Sequence, residues 1–283
     1  MRRERGRVPM KASARTERDM PLKIAVYGIC KNELHNVGPF LENTKDADCV
    51  VICDTGSTDN TPWRVSGFED ARITLHHIHV EPFRFDVARN AALALVPADV
   101  DVCVSLDLDE RLEPDWRAGI ERAWAAYPDT TKLGVRYQKD GMQEFIHNSR
   151  VHKRNGYYWK DPCHEAIYPW MSDDNVVVSK SVKIVHHPDL QKPRDRLNLL
   201  TAGIMEEPWN RRRMFYYGRE LVLVGENEKA LGWLYKYLQL WIESGEEPWM
   251  EVEQAQAYVR LAQGVLTEQS VAALKTSQSA SEV

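Results

Sequence analysis

Short apolar runs, each ended by polar residues, follow one another through the N-terminal third of the chain. Four of them, residues 23–30, 49–53, 73–80 and 100–106, have the length and β-type composition of buried strands. An Ala- and Leu-rich helix is predicted at residues 87–96. Strands that alternate with helices at short intervals are typical of βαβ units on a mostly parallel sheet. We therefore predict an α/β fold for this part of the chain.

The pattern changes twice further along the chain. Between residues 132 and 185 the segments are short, β-type and rich in aromatic side chains, which predicts a more antiparallel extension of the sheet. After residue 190 apolar residues recur at helical spacing, which predicts a series of packed helices. The predicted organisation is a flexible basic arm at 1–20, an α/β domain at 21–190, a helical extension at 191–270 and a flexible tail at 271–283.

Composition narrows the class of protein. The 283 residues include 37 Lys and Arg and 42 Asp and Glu, for a formal net charge of −5. A positive field over the whole molecule, as used to hold nucleic acid or anionic lipid, is therefore excluded, although local basic patches remain possible. The longest wholly apolar run, residues 91–96, is far shorter than a membrane span of roughly 18 residues. The chain is expected to be soluble.

The five cysteines point to a reducing compartment. Their number is odd, no C-x-x-C pair occurs, and four of them lie in or beside apolar runs predicted to be strands. A disulfide framework or a zinc site would need paired spacing in loops. The basic residues 1–19 are followed by no apolar stretch and do not form a secretory signal. We expect buried thiols and a cytoplasmic location.

Polar clusters stand where the predicted strands end, and in parallel sheets ligands collect at the carboxyl ends of strands. After the fourth strand, Asp107 and Asp109 form a D-x-D pair. Two carboxylates can hold Mg²⁺ or Mn²⁺ and leave coordination positions for substrate phosphates. The alternative is a solvated acidic turn, because a motif this short occurs by chance.

Two further elements have a functional and an ordinary interpretation. Asp54 ends the second strand and is followed by a turn containing Gly56 and Ser57. Its carboxylate could accept hydrogen bonds from a base or a ribose, or it could cap the following helix. Arg89, near the start of the Ala-rich helix, could approach a diphosphate or form a surface ion pair with Asp86.

In chain order, the segments KNE at 31–33, DTGSTDNT at 54–61, ARNAAL at 88–93 and SLDLDE at 105–110 closely resemble the motifs of family 2 glycosyltransferases of the GT-A fold. The resemblance covers about residues 22–190, which would form the catalytic domain. It implies a Rossmann-like, mostly parallel central sheet and a nucleotide-sugar site.

The resemblance also implies roles for individual residues. Asp54 would face the uracil or another base, Glu33 the ribose, and Arg89 would brace the nucleotide. The ligands of the diphosphate-bound metal would be Asp107 and Asp109. The nucleotide-sugar site implied in this way comprises Lys31, Asn32, Glu33, Asp54, Arg89, Asp107 and His164.

A carboxylate is also expected on the acceptor side, where a base must take the acceptor proton. The segment at 159–165, WKDPCHE, resembles a G-x-x-H-E stretch in a subgroup that includes lipopolysaccharide-core and bacteriocin glycosyltransferases. We assign Glu165 as the base and keep Asp161 as the second candidate, while His164 could touch the diphosphate. The alternative is that both acids are exposed loop residues.

The pair His186-His187 follows the last predicted strand, where many GT-A enzymes supply a histidine to the metal. An imidazole beside two carboxylates would favour Mn²⁺ over Mg²⁺. Because neighbouring strand residues point to opposite faces, only one of the two is expected to bind, and we prefer His187. A surface pair ahead of Pro188 is the alternative.

The helical extension resembles a degenerate tetratricopeptide hairpin. Gly218 would allow close packing of paired helices and Ala230 would fill the small position on the second helix. The extension would frame the acceptor groove or form a homodimer contact. The basic run 211–213 leaves open an anionic acceptor such as modified DNA.

The resulting hypothesis is a metal-dependent, inverting glycosyltransferase that uses a nucleotide-diphosphate sugar, a UDP-sugar in the first instance, with Mn²⁺ or Mg²⁺. The acceptor could be a glycan, a peptide, a lipid-linked saccharide or a modified nucleobase in DNA. One alternative is a non-catalytic nucleotide-binding scaffold that acts through its helical tail. The other is a nucleotidyltransferase, which would need a Gly-rich loop after the first strand.

Overall fold

The computed structural model describes residues 21–141, 143–171, 174–189, 196–246 and 250–264. The arm predicted at 1–20 and the tail predicted at 271–283 lie outside the described residues.

The α/β part of the chain contains ten strands and four helices among the described residues. In chain order they are β1 (Ile24–Cys30), α1 (Leu34–Asn43), β2 (Cys49–Asp54), α2 (Thr61–Ser66), β3 (Ile73–His77), α3 (Phe85–Leu95), β4 (Val102–Ser105), β5 (Glu110–Leu112), α4 (Trp116–Ala126), β6 (Lys132–Lys139), β7 (Phe145–Lys153), β8 (Tyr157–Lys160), β9 (Ala166–Pro169) and β10 (Val176–His186).

Eight of these strands form one sheet in the order β3-β2-β1-β4-β7-β6-β10-β5. The strands β3, β2, β1 and β4 pair in parallel, as the alternation of strands and helices predicts. Strand β7 is antiparallel to both β4 and β6, so the second half of the sheet is mixed. The α/β fold and the more antiparallel extension expected from the sequence are both confirmed.

The sheet is covered on both faces, which explains the continuous apolar composition of its central strand. All seven residues of β1 are buried. Alternate residues of β1 contribute to two hydrophobic clusters, one containing Ile24 and Val26 and the other containing Ala25 and Tyr27. Strands buried on both faces are typical of parallel sheets. Because both faces of the sheet are covered, a ligand can reach these strands only at their polar ends.

The second part of the chain is helical. Its helices are α5 (Leu197–Glu206), α6 (Arg211–Leu223), α7 (Asn227–Ser244) and α8 (Met250–Ala262). They share a hydrophobic cluster of their own that also includes Cys163 from the α/β part. A Cβ added to Gly218 would lie 2.8 Å from Leu234 Cγ, so glycine is needed where α6 meets α7. The helical-hairpin extension is thus present, while its likeness to a tetratricopeptide repeat stays a prediction.

Two further expectations concern the chain as a whole. All five cysteines are free thiols, and four of them are buried. Within the described part of the chain, no helix combines the length and apolar character that crossing a membrane would require.

Candidate active site

In the acidic turn after β4, buried leucines alternate with aspartates. Leu106 and Leu108 are fully buried, which leaves Asp107 and Asp109 on the opposite side of the chain. The turn is closed by Glu110, whose backbone N–H donates to Asp107 O at 2.9 Å and whose Oε2 accepts from Asp107 N at 2.9 Å. Two carboxylates thus project from a fixed turn at the carboxyl end of a central strand.

Asp107 is paired with Arg89 of α3. Arg89 Nη1 lies 2.8 Å from Asp107 Oδ1, and Nη2 donates to Oδ2 at 2.9 Å. Burial by itself raises the pKa of Asp107, but Arg89 and then Arg150 outweigh it and hold this pKa well below its ordinary value. Asp107 is therefore an ionised carboxylate that accepts a charge-assisted hydrogen bond from Arg89 through Oδ2, while its buried Oδ1 has an ion-pair contact with Nη1 but no hydrogen-bond partner among the described residues.

The same guanidinium reaches Glu165 on the other side. Arg89 Nε donates to Glu165 Oε1 at 2.6 Å, and only 5% of the Arg89 side chain and 13% of the Glu165 side chain are exposed. The ring of Trp159 lies 5.1 Å from the Arg89 guanidinium carbon. Arg89 thus joins the acid of the D-x-D turn to the acid expected on the acceptor side.

Glu110 belongs to a buried network that the sequence analysis did not identify. Its Oε1 accepts hydrogen bonds from Tyr137 Oη and Arg150 Nη2, both at 2.5 Å. Burial raises the pKa of Glu110, although Arg150 opposes this. Arg150 also lies 3.5 Å from Asp107 Oδ2. Arg150 comes from β7, and a polar residue inside a short β segment was the only sequence signal for it.

The two histidines after β10 have different neighbours. His186 Nε2 lies 3.1 Å from Asp109 Oδ2. His187 Nδ1 instead lies 2.6 Å from Asp140 Oδ2, and the backbone N–H of His187 donates to the backbone carbonyl oxygen of Asp109 at 2.8 Å. The sequence analysis preferred His187 as a metal ligand, but the structure places the His186 imidazole beside the carboxylate. β10 continues to His186, which pairs with Glu110 of β5 beside the acidic turn, whereas His187 lies beyond the end of the strand.

The acids and histidines allow a limited test for a divalent cation. In the described part of the chain, no group of three or more His, Cys, Asp or Glu side chains is arranged to hold a metal ion. Asp109 and His186 nevertheless have the separation of two neighbouring ligands, since cis ligands of an octahedral ion lie about 3 Å apart. A cation held by few protein ligands keeps positions for substrate phosphates. The separation of this pair fits such an ion, and Asp107 adds a buried Oδ1 that has no hydrogen-bond partner among the described residues, although Arg89 Nη1 lies 2.8 Å from it.

Asp54 ends β2 and organises the turn that follows it. Its carboxylate accepts from the backbone N–H of Gly56 at 3.1 Å and from Ser57 Oγ at 2.5 Å. Burial raises the pKa of Asp54, but the Ser57 hydroxyl and the backbone donors outweigh it and lower the pKa overall. Gly56 has a φ of 101°, where glycine is favoured. His77 Nδ1 lies 3.5 Å from Asp54 Oδ2.

The residues after β1 lie against this turn. Asn32 Oδ1 accepts from the backbone N–H of Thr58 at 2.7 Å, and Asn32 N donates to Ser57 Oγ at 2.8 Å. Glu33 N donates to Thr61 Oγ1 at 2.7 Å, while Lys31 is exposed. The loops after β1 and β2 are thus linked into one wall of the site, formed by Lys31, Asn32, Glu33 and Asp54.

Asp161 and His164 have their side-chain contacts with α6 of the helical extension. Arg213 of α6 donates from Nε to Asp161 Oδ1 at 2.6 Å, and both side chains are buried. His164 stacks on Tyr216 with ring centroids 4.2 Å apart, and its Nε2 lies 2.8 Å from Arg219 Nη2. Burial, and then Arg219, lower the pKa of His164 well below its ordinary value, so this imidazole is neutral. Both residues face the helical extension.

Comparison with known proteins identifies the family. The model of "Glycosyl transferase family 2" matches residues 26–191, more than half of the chain. The chain therefore belongs to glycosyl transferase family 2, and the family and fold predicted from the sequence are confirmed. A similar curated protein is the lipopolysaccharide core biosynthesis glycosyltransferase LpsC of Rhizobium meliloti (strain 1021), 26% identical over 175 residues. The match covers 58% of this chain and 63% of LpsC.

Similar solved structures include TarS of S. aureus, residues 1–349, in complex with UDP-GlcNAc. It has a TM-score of 0.47 and 11% identity, and the match covers 92% of this chain and 90% of that one. GalNAc-T7 with UDP, GalNAc and Mn²⁺ has a TM-score of 0.47 and 9% identity, covering 69% of this chain and 50% of that one. At these values neither structure identifies a substrate for this chain.

Proposed function

We propose that this chain is a glycosyltransferase that moves a sugar from a nucleotide-diphosphate sugar to an acceptor. The observation that carries the proposal is the line Asp107–Arg89–Glu165, which joins a donor-side acid to an acceptor-side acid through one buried guanidinium. It lies at the carboxyl ends of the parallel strands, where α/β sheets bind ligands. Membership of glycosyl transferase family 2 supports the same reaction.

The donor nucleotide would lie against the wall formed by the loops after β1 and β2. Asp54 is nearly buried and its oxygens hold the turn, so it would act on the base chiefly by fixing the backbone around Gly56 and Ser57. Lys31 is exposed beside that turn and carries the charge suited to a phosphate. A UDP-sugar is the donor class that we propose.

A divalent cation, Mn²⁺ or Mg²⁺, would be held by Asp109 and His186. When bound, it would neutralise charge on the leaving diphosphate. Arg89 and Arg150 keep Asp107 ionised, and the negative charge of Asp107 in turn orients Arg89. With His186 in the ligand set, Mn²⁺ is favoured over Mg²⁺. Metal dependence is thus proposed from the separation of Asp109 and His186.

The proposed chemistry is an inverting displacement. The acceptor oxygen forms a bond to the anomeric carbon while the bond from that carbon to the diphosphate oxygen breaks. Glu165 takes the acceptor proton. Arg89 already engages Glu165 Oε1 at 2.6 Å, so Oε2 is the oxygen assigned to this proton. Asp161, the second candidate in the sequence, is committed to Arg213.

The acceptor is proposed by class. The similarity to LpsC, a lipopolysaccharide core biosynthesis glycosyltransferase, makes a core saccharide the first acceptor to test. Peptides and modified nucleobases in DNA are the other acceptors to screen. The exposed side chains of Tyr235 and Ile242 on α7 make the helical extension the proposed site of a homodimer contact, which sedimentation analysis tests.

The first experiment measures thermal stability with UDP, GDP, CDP and dTDP, each with and without Mn²⁺. A ligand at 100 times its Kd stabilises the folded state by about 2.7 kcal/mol, which a melting curve resolves. We expect UDP to stabilise the protein and Mn²⁺ to increase the effect. Release of UDP from UDP-sugars then tests turnover. Absence of any shift at millimolar nucleotide would contradict the proposed function.

A further inference from the structure

The loop that carries Glu165 is held by the helical extension. This loop, residues 161–165, joins β8 to β9, and three arginines of α6 contact it. Arg213 Nε donates to Asp161 Oδ1 at 2.6 Å, and Arg219 Nη2 lies 2.8 Å from His164 Nε2. Arg212 Nη2 donates to the carbonyl oxygen of His164 at 3.2 Å. Side chains at both ends of the loop are therefore anchored outside the sheet that carries it.

The backbone of the loop explains why anchors are needed. Asp161 has a φ of 87° and His164 a φ of 54°. Residues other than glycine are uncommon in this left-handed region, and they persist there when the surroundings hold them. Asp161 is buried with its charge paired, and the neutral His164 ring is stacked on Tyr216. Each of the two left-handed residues is thus fixed by a specific contact with α6.

Close packing reinforces these contacts. A Cβ added to Gly203 of α5 would lie 3.3 Å from Pro162 Cδ, so the helix approaches the loop directly. Arg213 Nη1 also donates to the carbonyl oxygen of Gly203 at 2.6 Å. On the opposite side, Phe85 N at the start of α3 donates to Pro162 O at 3.1 Å. The loop is therefore clamped between α3 of the sheet domain and the helices of the extension.

These contacts converge on Glu165, the residue after His164. We propose that Arg213 and Arg219 are positioning residues that hold the 161–165 loop so that Glu165 meets both Arg89 and the acceptor. The helical extension is then a working part of the active site, beyond any role in binding a partner. This inference rests on the proposed function, because it takes Glu165 as the acceptor-side base.

The sharpest test is the pair of variants Asp161→Asn and Arg213→Lys. Asparagine keeps the size of Asp161 and tolerates the left-handed conformation, but it removes the charge that pairs with Arg213. Lysine keeps a cation but cannot reproduce the several directed contacts of the guanidinium. The assay is release of UDP from UDP-GlcNAc with Mn²⁺ and water as acceptor, together with the Kd of UDP. We expect kcat to fall roughly ten- to hundred-fold, because small misplacements of a catalytic group have effects of this order. The Kd of UDP is expected to stay unchanged.

Two controls separate positioning from general stability. Arg211→Ala removes an arginine of the same helix whose ion pair in the described part of the chain is with Glu246 rather than with the loop, so the kcat of this variant should equal that of the wild type. In a Glu165→Gln background, Asp161→Asn should lower kcat no further, because it acts through Glu165. Hydrogen exchange of the backbone amides of residues 161 and 163–165 should be faster in Asp161→Asn than in the wild type.

The outcomes distinguish the inference from the function on which it rests. A wild-type protein that neither binds UDP nor releases it from a UDP-sugar contradicts the proposed function itself. An active wild type with an impaired Glu165→Gln variant supports that function. In that case, unchanged kcat in both Asp161→Asn and Arg213→Lys overturns the inference. An equal loss of kcat from Asp161→Asn with and without Glu165 overturns it as well, since the role would then be structural only.

Discussion

Arg89 donates a hydrogen bond from Nη2 to Asp107 Oδ2 at 2.9 Å, and its Nη1 lies 2.8 Å from Oδ1. The first aspartate of the D-x-D turn is therefore bound to a protein cation, and the second, Asp109, faces His186. The D-x-D motif suggests the same role, metal binding, for both aspartates, but the two side chains have different partners. We expect Asp107 to orient the guanidinium and Asp109 to face the proposed metal.

The first prediction concerns Arg89. Lysine keeps the charge but cannot contact Asp107 and Glu165 simultaneously through a planar fork. Arg89→Lys is therefore expected to lower kcat for UDP release about 10²-fold, as the loss of one preorganised donor typically does. Arg89→Ala should also lower the free energy of unfolding by about 3–5 kcal/mol, because two acids lose their buried partner. Urea unfolding and steady-state kinetics measure the two effects. Near-normal kcat in Arg89→Lys would contradict the bridging role.

The second prediction separates the two histidines. His186→Ala should raise the Mn²⁺ concentration needed for half-maximal activity about ten-fold or more, because His186 faces Asp109. His187→Ala is the matched control and should leave this concentration unchanged, since its imidazole pairs with Asp140. Calorimetric titration of Mn²⁺ in the presence of UDP gives a second measurement. A stronger effect from His187→Ala than from His186→Ala would contradict this assignment and favour His187 as the metal ligand, as the sequence predicted.

The third prediction concerns acid sensitivity. His152 is fully buried, and burial lowers its pKa from 6.5 to about 4. Its Nδ1 lies 2.7 Å from Lys153 O and its Nε2 2.9 Å from Tyr27 Oη, so the neutral ring donates through Nδ1 and accepts from the tyrosine. In the unfolded chain the His152 imidazole becomes protonated near pH 6.5, whereas in the folded chain it becomes protonated only near pH 4. Stability from this group is thus fully present above pH 6.5 and declines as the pH falls toward 4, by about 3 kcal/mol in all.

Urea unfolding between pH 7.5 and 4 measures this decline. The variant His152→Asn removes the titrating group, so the slope of stability against pH should become shallower in this window. An unchanged slope in His152→Asn would show that other groups govern the acid response.

Sequence reasoning reached the parts of the site that depend on local order along the chain. Strand β2 ends at Asp54, and β4 ends two residues before Asp107; parallel pairing of both strands with β1 brings these acids to the same edge of the sheet, as the alternating pattern predicts. The buried network of Glu110 with Arg150 depends instead on strand β7, which pairs antiparallel between β4 and β6. No periodicity in one sequence reports that pairing, because it joins residues far apart in the chain.

Asp161 and His186 show a second kind of limit. Asp161 stands four positions from Glu165, yet its left-handed backbone turns it toward Arg213. His186 and His187 differ by one position, and the residue at which β10 ends decides which imidazole meets Asp109. For Asp161 a backbone angle determines which side chain it contacts, and for His186 the end of a strand does. Such choices follow from tertiary packing rather than from residue type.

The last prediction concerns Gly28, in the middle of β1. A Cβ at this position would lie 2.2 Å from the carbonyl oxygen of Leu106, which is backbone and cannot rotate away. Leu106 N donates to Tyr27 O at 3.0 Å, so a backbone hydrogen bond beside Gly28 joins β1 to the start of the acidic turn. Gly28→Ala must therefore displace the chain just before Asp107. We expect a loss of about 1–3 kcal/mol in the free energy of unfolding, and a weaker response of the melting temperature to UDP with Mn²⁺.

The matched control is Gly232→Ala in α7, an exposed position where a Cβ would meet no described atom within 4 Å. Alanine is favoured over glycine within a helix, so this variant should gain about 0.5–1 kcal/mol and respond to UDP and Mn²⁺ as the wild type does. The two substitutions add the same methyl group, yet their expected effects on unfolding have opposite sign. Because only Gly28 adjoins the turn that carries Asp107 and Asp109, only Gly28→Ala should couple a change in stability to a change in ligand response. Equal ligand responses in both variants would show that the position of the acidic turn does not depend on the close approach of β1.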